Sequence, residues 1–327
     1  MKRWVAMTCA CLLMTVSSAH AQETTLKFGH AAASQHLFQD GLEFFAEKVA
    51  EKTGGAVKIE VYGDRQLGDD RQLLEGLQIA TIDGALVSSP TLPLVVGATA
   101  FDALQLPFLV NSYEELAEAL ASPVGQDLLD TLDAKNMKGL GYIEAGQRHF
   151  LSRAKQVASL DDFTGQKTRI VPIPLHKATW EAVGVNPIGM AYGEVYSALE
   201  TGTIDAVEIN VSSIRSESLY EAAKHVTKTG HYFWPGVIIV SGPTWARLSD
   251  DVKTAMIEAG RETTAEAYAR AAAQESETVE FLKGEGVEVG ELDDIEAMRA
   301  RTQPVVDSWL SKDPLIQGFF DHIQEGR

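Results

Sequence analysis

The sequence predicts an α/β protein whose two lobes face a shared crevice, and three observations carry that expectation. First, one phrase occurs nearly twice: Leu77-Gln78-Ile79-Ala80-Thr81-Ile82-Asp83-Gly84-Ala85 and Leu199-Glu200-Thr201-Gly202-Thr203-Ile204-Asp205-Ala206-Val207, with Thr-Ile-Asp 122 positions apart, 81 against 203. Second, each copy follows a helical-looking run (Arg71 to Leu77; Glu194 to Leu199) and leads into an apolar, strand-like stretch. In open α/β sheets, ligands sit outside the carboxyl ends of such strands. Third, helix-period and strand-period patterns alternate along the chain, which argues for βα units around a mainly parallel sheet. A chance match of two short words is the bland alternative to the repeat.

The elements follow in order. Thr25 to Gly29 reads as a first strand ending near His30. Phe38, Leu42, Phe45 and Val49 then recur at steps of four, three and four, one face of a helix that glycines close at Lys52-Thr-Gly-Gly55. Val57, Ile59 and Val61 alternate with Lys58 and Glu60, as in a half-buried strand. Helix and strand continue through Asp70–Ile79, Gly84–Ser88, Glu114–Asp133 and Lys138–Glu144. A second lobe begins near Gly146, with a strand over Lys167–Val171 and helices over Leu175–Val183 and Glu194–Leu199. Val237–Ser241 is apolar throughout, as in an interior strand. From Asp250 to Lys283 only Gly260 interrupts helical spacing, and Ser249 can cap the run, with Asp250 and Asp251 favourable at its positive dipole end. A helix of that length is expected to bridge the lobes. The expected division is a signal peptide over 1–21, a first lobe over 22–145 plus 235–274, and a second over 146–234 plus 275–327.

Compartment is read from the first residues. Lys2 and Arg3 precede a short apolar core from Val5 to Val16, and Ala19-His20-Ala21 supplies a small-x-small cleavage pattern. The core is too short to span a bilayer as a stable helix. Both cysteines, Cys9 and Cys11, lie inside this leader, so the exported chain is expected to carry no disulfide, thiolate metal site or cysteine nucleophile. About 306 residues remain, enough for two domains. Loss of Lys2 and Arg3 takes the formal charge from −18 to −20. So acidic a surface argues against nucleic acid as a partner and obliges an anionic ligand to find local cations.

The sharpest local signal is Gly165-Gln-Lys-Thr-Arg169-Ile-Val-Pro172. An inward arginine in a strand is costly unless paired, and its planar fork matches a carboxylate through two parallel hydrogen bonds. Gly146-Gln147-Arg148 offers a second cation. The competing reading is that both arginines make structural ion pairs with some of the 46 acids.

Taken in order, Leu26-Lys-Phe-Gly-His30, Lys52-Thr-Gly-Gly55, Gln66-Leu-Gly-Asp-Asp70, the Arg169 segment, Met190-Ala-Tyr-Gly-Glu-Val-Tyr196 and Gly202-Thr-Ile-Asp-Ala-Val-Glu208 resemble the extracytoplasmic solute receptors of tripartite ATP-independent periplasmic (TRAP) transporters, of the dicarboxylate-receptor type. The resemblance runs from about residue 25 to about 285. It implies a two-lobed, periplasmic-binding-protein-like fold and capture, not catalysis, of a small organic acid anion; sugar acids, C4-dicarboxylates, 2-oxo acids and small sulfonates all stay open, and the polar candidates point toward a hydroxylated acid such as a sugar acid. It also implies delivery to a small and a large integral membrane subunit, a periplasmic location, a monomer, and no cofactor or metal. Arg169 matches the arginine that forms the principal salt bridge to the ligand carboxylate, Arg148 an assisting arginine, and Tyr192 an aromatic packed over the ligand, with a buried core tyrosine as its alternative. The chain departs from the family after Thr203-Ile-Asp205: many relatives carry glutamate then asparagine, whereas here Glu208-Ile209-Asn210 places the amide one position later. Asn210 is the expected substitute.

Weaker candidates complete the set. Asp70 and Glu75 could accept hydroxyl protons from a polyol acid, or be solvated helix-face carboxylates. Ser88 stands opposite Asn210 in the repeat. His30 and His36 lie near the first strand's end and could line the cleft or be satisfied structural histidines. Trp180 and Trp234 could wall the pocket or fill the core, with Trp234 favoured by its place before the return to the first lobe. Against an enzyme, no H-E-x-x-H, G-x-S-x-G, P-loop or dinucleotide fingerprint occurs. His149 with Ser152 is the nearest approach to a hydrolytic pair, so a secreted hydrolase or lyase acting on a small organic acid is the alternative class.

Overall fold

The computed structural model describes residues 24–327; the expected signal peptide and both cysteines lie outside the described residues. β1 (Thr24–His30) buries Leu26 and Phe28 completely. α1 (Leu37–Lys52) buries Phe38, Leu42, Phe45 and Val49, the stripe its spacing requires, and is capped by His36, whose Nδ1 accepts the Phe38 amide at 3.1 Å. β2 (Val57–Tyr62), α2 (Asp70–Gln78) and β3 (Gly84–Ser88) complete a parallel unit with β1 between β2 and β3.

α3 (Thr91–Val96) follows, then α4 (Tyr113–Ala121) and α5 (Pro123–Asp130), which replace the single helical stretch expected over Glu114–Asp133. Pro123 cannot donate to the preceding turn and instead starts a new helix at its first position. β4 (Met137–Ser152) runs for 16 residues, well past the expected Glu144.

The second unit repeats the first. β5 (Lys167–Ile170), α6 (Pro174–Val183), β6 (Asn186–Gly189), α7 (Val195–Thr201) and β7 (Ala206–Asn210) place β5 between β6 and β7, again parallel. The duplicated Thr-Ile-Asp has one structural meaning in both lobes. Asp83 accepts the Lys27 amide on Oδ2 at 2.9 Å and donates its own amide to the Lys27 carbonyl at 3.2 Å. Asp205 does the same to Lys167, at 2.9 and 2.8 Å. Each aspartate ties the third strand of its unit to the first.

After α8 (Val211–Ser216), α9 (Leu219–Ala222) and β8 (His225–Lys228), β9 (Phe233–Ser241) runs antiparallel to both β3 and β4. β4 in turn runs antiparallel to β7. The strand order β2-β1-β3-β9-β4-β7-β5-β6 therefore has parallel flanks and an antiparallel centre, so the lobes are joined through two strands they share. The β4–β9 register shifts between Glu144 and Gln147, where Gly146 takes φ +117°.

α10 (Gly242–Arg247) leads to α11 (Asp250–Gly284), a 35-residue helix of roughly 52 Å at 1.5 Å per residue. It packs on α1, α4 and β4 and reaches α8 and β10 (Glu288–Glu291), bridging the lobes as expected. Glycines set its seat: a Cβ on Gly260 would lie 2.1 Å from the Leu140 carbonyl oxygen. α12 (Ile295–Leu310) packs on α6, but α13 (Pro314–Glu325) packs on α4 and α5. Ile316, Phe319 and Ile323 of α13 pack in the same core cluster as Leu116, Leu120 and Leu128 of α4 and α5. Trp180 fills the second lobe's interior against Phe150 and Phe163.

Candidate ligand-binding site

The loops that follow the parallel strands converge on one cavity of about 130 Å³. Ala31, Ala32 and His36 come from beyond β1, Ser88 and Thr91 from the end of β3, Arg169, Val171 and Pro172 from β5, Met190 to Tyr192 from beyond β6, and Ser213 from beyond β7. Asp69, Asp70 and Arg71 enter at the start of α2, while Arg148 and Trp234 come from the shared strands β4 and β9. The site thus lies where the carboxyl ends of both parallel units meet.

Arg169 is 2 % exposed. Its Nε and Nη2 both donate to the Met190 carbonyl, at 3.0 and 2.8 Å. Among the described residues its Nη1 has no hydrogen-bond partner and the guanidinium makes no ion pair. Burial lowers its pKa to about 10, which leaves it cationic at neutral pH. A buried cation with no ion-pair partner among the described residues is costly, and the Glu208 carboxylate offsets that only from a distance.

Arg148 is different. It is equally buried, but its Nε donates to Glu208 Oε2 at 2.8 Å, its Nη2 lies 2.7 Å from the same oxygen and also donates to the Glu208 carbonyl, and its Nη1 reaches Asn210 Oδ1 at 3.4 Å. The Tyr232 hydroxyl donates to Glu208 Oε2 at 2.8 Å. Burial is the largest influence and opposes the Glu208 charge, but Arg148 together with His231 and His176 holds the carboxyl well below the ordinary range. Trp234 covers the guanidinium, 3.8 Å from its ring centroid, a close cation–π contact. Arg148 therefore presents a charge already balanced from behind.

The sequence candidates divide on this geometry. Arg169, Arg148, Tyr192, Asp70, Ser88 and Trp234 all line the cavity. Asn210 does not: its Nδ2 donates to the Ala145 carbonyl, and its Oδ1 accepts from Ser213 Oγ at 2.9 Å and from Arg148. It braces Arg148 rather than facing the ligand space. Glu75 is exposed and does not line the cavity, because five residues of helix carry it about 140° around α2 from Asp70. His30 is buried outside the lining, with Nε2 2.6 Å from Gln39 Oε1, a structural histidine.

Residues not foreseen as site residues include Ser213 and Phe38, both in the lining. Ser213 stands three residues beyond Asn210, the one sequence cue to it. His36 accepts on Nδ1, so its Nε2 carries the proton toward Ser213 Oγ, 3.1 Å away across the cleft. Burial lowers its pKa to about 3, so it stays neutral. A second bridge joins Arg65 Nη2 to Glu217 Oε2 at 3.0 Å, with the Ala33 amide on Oε1 and the Arg65 guanidinium 5.0 Å from the Tyr192 ring. His149 pairs with Glu275 at 3.5 Å and Ser152 donates to the Lys155 carbonyl, so the pair weighed for hydrolysis makes no nucleophile–base contact.

Comparison with known proteins agrees with this geometry. The profile described as "Bacterial extracellular solute-binding protein, family 7" (DctP) matches residues 28–313. A solute-binding protein of Chromohalobacter salexigens is 31 % identical over 287 residues, covering 88 % of this chain and 84 % of the relative. The C4-dicarboxylate-binding periplasmic protein DctP of Rhodobacter capsulatus is 31 % identical, over 81 % and 79 % of the two chains. Among solved structures, the sugar acid binding protein DctPAm of Advenella mimigardefordensis in complex with galactonate superposes with a TM-score of 0.88 at 27 % identity, covering 94 % of this chain and 99 % of that one. Duplicated parallel units joined by shared strands, with a cationic cavity between them, are thus the architecture of a periplasmic receptor, and the chain belongs to the DctP family of TRAP transporter solute-binding proteins.

Proposed function

We propose that this receptor captures a small organic acid of the sugar-acid type, with the ligand carboxylate on Arg169. The observation that supports this most is the Arg169 guanidinium, buried in the cavity wall with two of its donors held by the Met190 carbonyl and Nη1 without a partner among the described residues. The carboxylate supplies the missing counter-charge, and Arg148 adds a donor whose own charge Glu208 already balances. Polar groups on the opposite wall, Ser88, Thr91 and Asp70, suit hydroxyls. The similarity to a receptor in complex with galactonate supports the same class.

Capture proceeds by lobe closure about β4, β9 and α11, the elements common to both lobes. The moving bodies divide near 145 and 235, and α13 travels with the first lobe. Contacts that exist only in the closed form, His36 to Ser213 and Arg65 to Glu217, shift the population toward it once ligand is present. The receptor works as a monomer that docks, closed, on the membrane subunits.

A thermal-shift screen of the mature protein against a panel of aldonates, uronates, C4-dicarboxylates and 2-oxo acids tests the reading. Stabilisation by carboxylates, strongest among sugar acids, is expected. Hits confined to neutral sugars, amino acids or metal ions contradict it.

A further inference from the structure

The lining residues differ in character with the lobe that supplies them. Arg169 comes from the second lobe, with the balanced Arg148 from the shared strand β4. From the first lobe, Asp69 and Asp70 open α2 beside Ser88 and Thr91. Asp70 Oδ2 accepts from the Ser88 amide at 3.3 Å and from Thr91 Oγ1 at 3.1 Å. These two donors fix the carboxyl. Its Oδ1 has no hydrogen-bond partner among the described residues, and no cation pairs with it there. Arg71 reaches the same rim but is exposed, so water screens its charge.

Resting on the reading that Arg169 takes the ligand carboxylate, we propose that Asp70 is a specificity-determining residue that accepts a hydroxyl proton at the ligand's far end and refuses a second carboxylate there. The receptor then selects polyhydroxy monocarboxylates over dicarboxylates of the same carbon skeleton. A hydroxyl can donate to an anionic acceptor, whereas a carboxylate brought to the same place is like-charged and has no proton to give. Repulsion of this kind discriminates as effectively as a new attractive contact. Burial raises the Asp70 pKa to about 6, with Asp69 adding to the effect, so at pH 7.5 the acceptor is ionised.

Galactonate and galactarate make a matched test, identical at C2 to C5 and differing only in whether C6 is a hydroxymethyl or a carboxylate; gluconate and glucarate make a second pair. Calorimetry at pH 7.5 is expected to give at least about tenfold tighter binding for the monocarboxylate of whichever pair fits. Asp70→Asn keeps an oxygen for the Ser88 and Thr91 donors, so it is expected to stay folded and to compress that ratio below about threefold. Because the ratio is taken within one variant, loss of folded protein does not move it. Glu75→Gln, a charge change on the same helix but outside the lining, is expected to leave it unchanged. Equal or tighter binding of the dicarboxylate by the native chain overturns the proposal. So does an unaltered ratio in Asp70→Asn, a ratio that follows Glu75, or the failure of every polyhydroxy monocarboxylate to bind. Arg169→Ala separates the two readings: it should weaken both members of a pair alike, and if it does not, the anchor is wrong whatever the ratio shows.

Discussion

Arg148 and Glu208 form a closed ion pair behind the cavity, Nη2 to Oε2 at 2.7 Å with Nε on the same oxygen at 2.8 Å, and both side chains are essentially excluded from solvent. The two arginines that look alike in sequence therefore do different work. One is paired with Glu208, and the other donates to the Met190 carbonyl and makes no ion pair among the described residues.

The pair makes Glu208 a stability determinant. Its native carboxyl titrates below the ordinary value, so its contribution is fully present above about pH 4.5 and is lost as pH falls through the native pKa. Removing one partner of a buried pair leaves the other charge uncompensated, typically at ~3–5 kcal/mol. Glu208→Gln is expected to lower the melting temperature at pH 7 by on the order of 5–10 °C and to flatten the acid limb of the stability curve. A melting curve indistinguishable from the native one contradicts this.

Glu144 behaves in the opposite sense. It is fully buried where β4 passes between the lobes, and its Oε1 accepts the amides of Gly146 and Trp234, both at 2.8 Å. Burial pushes its pKa up to about 7 against those two hydrogen bonds. Tyr268, Glu275 and Tyr113 are the other titratable groups near it, and none supplies a cation. Because the native pKa is raised, the folded state gains from the protonated form below about pH 4.5 and loses that gain as pH rises through about 7. Glu144→Gln retains an acceptor oxygen without the charge. It is expected to be more stable than the native chain at pH 8, by on the order of 2–3 kcal/mol, and nearly equal at pH 4.5. Chemical denaturation at the two pH values measures the difference; a gap independent of pH contradicts it.

Closure leaves a kinetic signature at Arg65 and Glu217. This pair is partly exposed and spans the cleft, with the Tyr192 ring beside it. A half-screened bridge of this kind contributes about 0.2–1 kcal/mol to the closed state, or up to roughly fivefold in affinity. Arg65→Ala and Glu217→Gln should each raise the dissociation rate by that factor and leave association nearly unchanged, as stopped-flow displacement would record. Unchanged dissociation would remove these contacts from the closing step.

Much of this was legible in the chain, for identifiable reasons. Thr-Ile-Asp recurs because Asp83 and Asp205 each tie a strand to its neighbour by the same two hydrogen bonds, so a local motif carried fold-level information. Arg169 stood out because a charged residue interrupts a strand that is otherwise buried along β5. Other features depend on partners far along the chain. Nothing near Arg148 announces that Glu208, 60 residues away, neutralises it. Asn210 is the expected substitute for the asparagine of many relatives, yet its amide is drawn to Ala145 and Ser213 behind Arg148. Glu75 differs from Asp70 through helical phase, which turns it outward on the same helix that aims Asp70 at the cavity. The reach of β4 past Glu144 is invisible locally because the residues that continue it, Gly146 to Arg148, read as a boundary when their strand partners are unknown.

The most direct test of the whole account is calorimetry of the receptor and its Arg169 variants with the sugar acid that stabilises it best. Truncating one side of a buried charge pair costs ~2–5 kcal/mol, so Arg169→Ala should bind at least ~30-fold more weakly. Arg169→Lys should recover little of that, because one ammonium cannot reproduce the fork. If both variants bind with native affinity, the carboxylate does not rest on Arg169 and the account of this site is wrong.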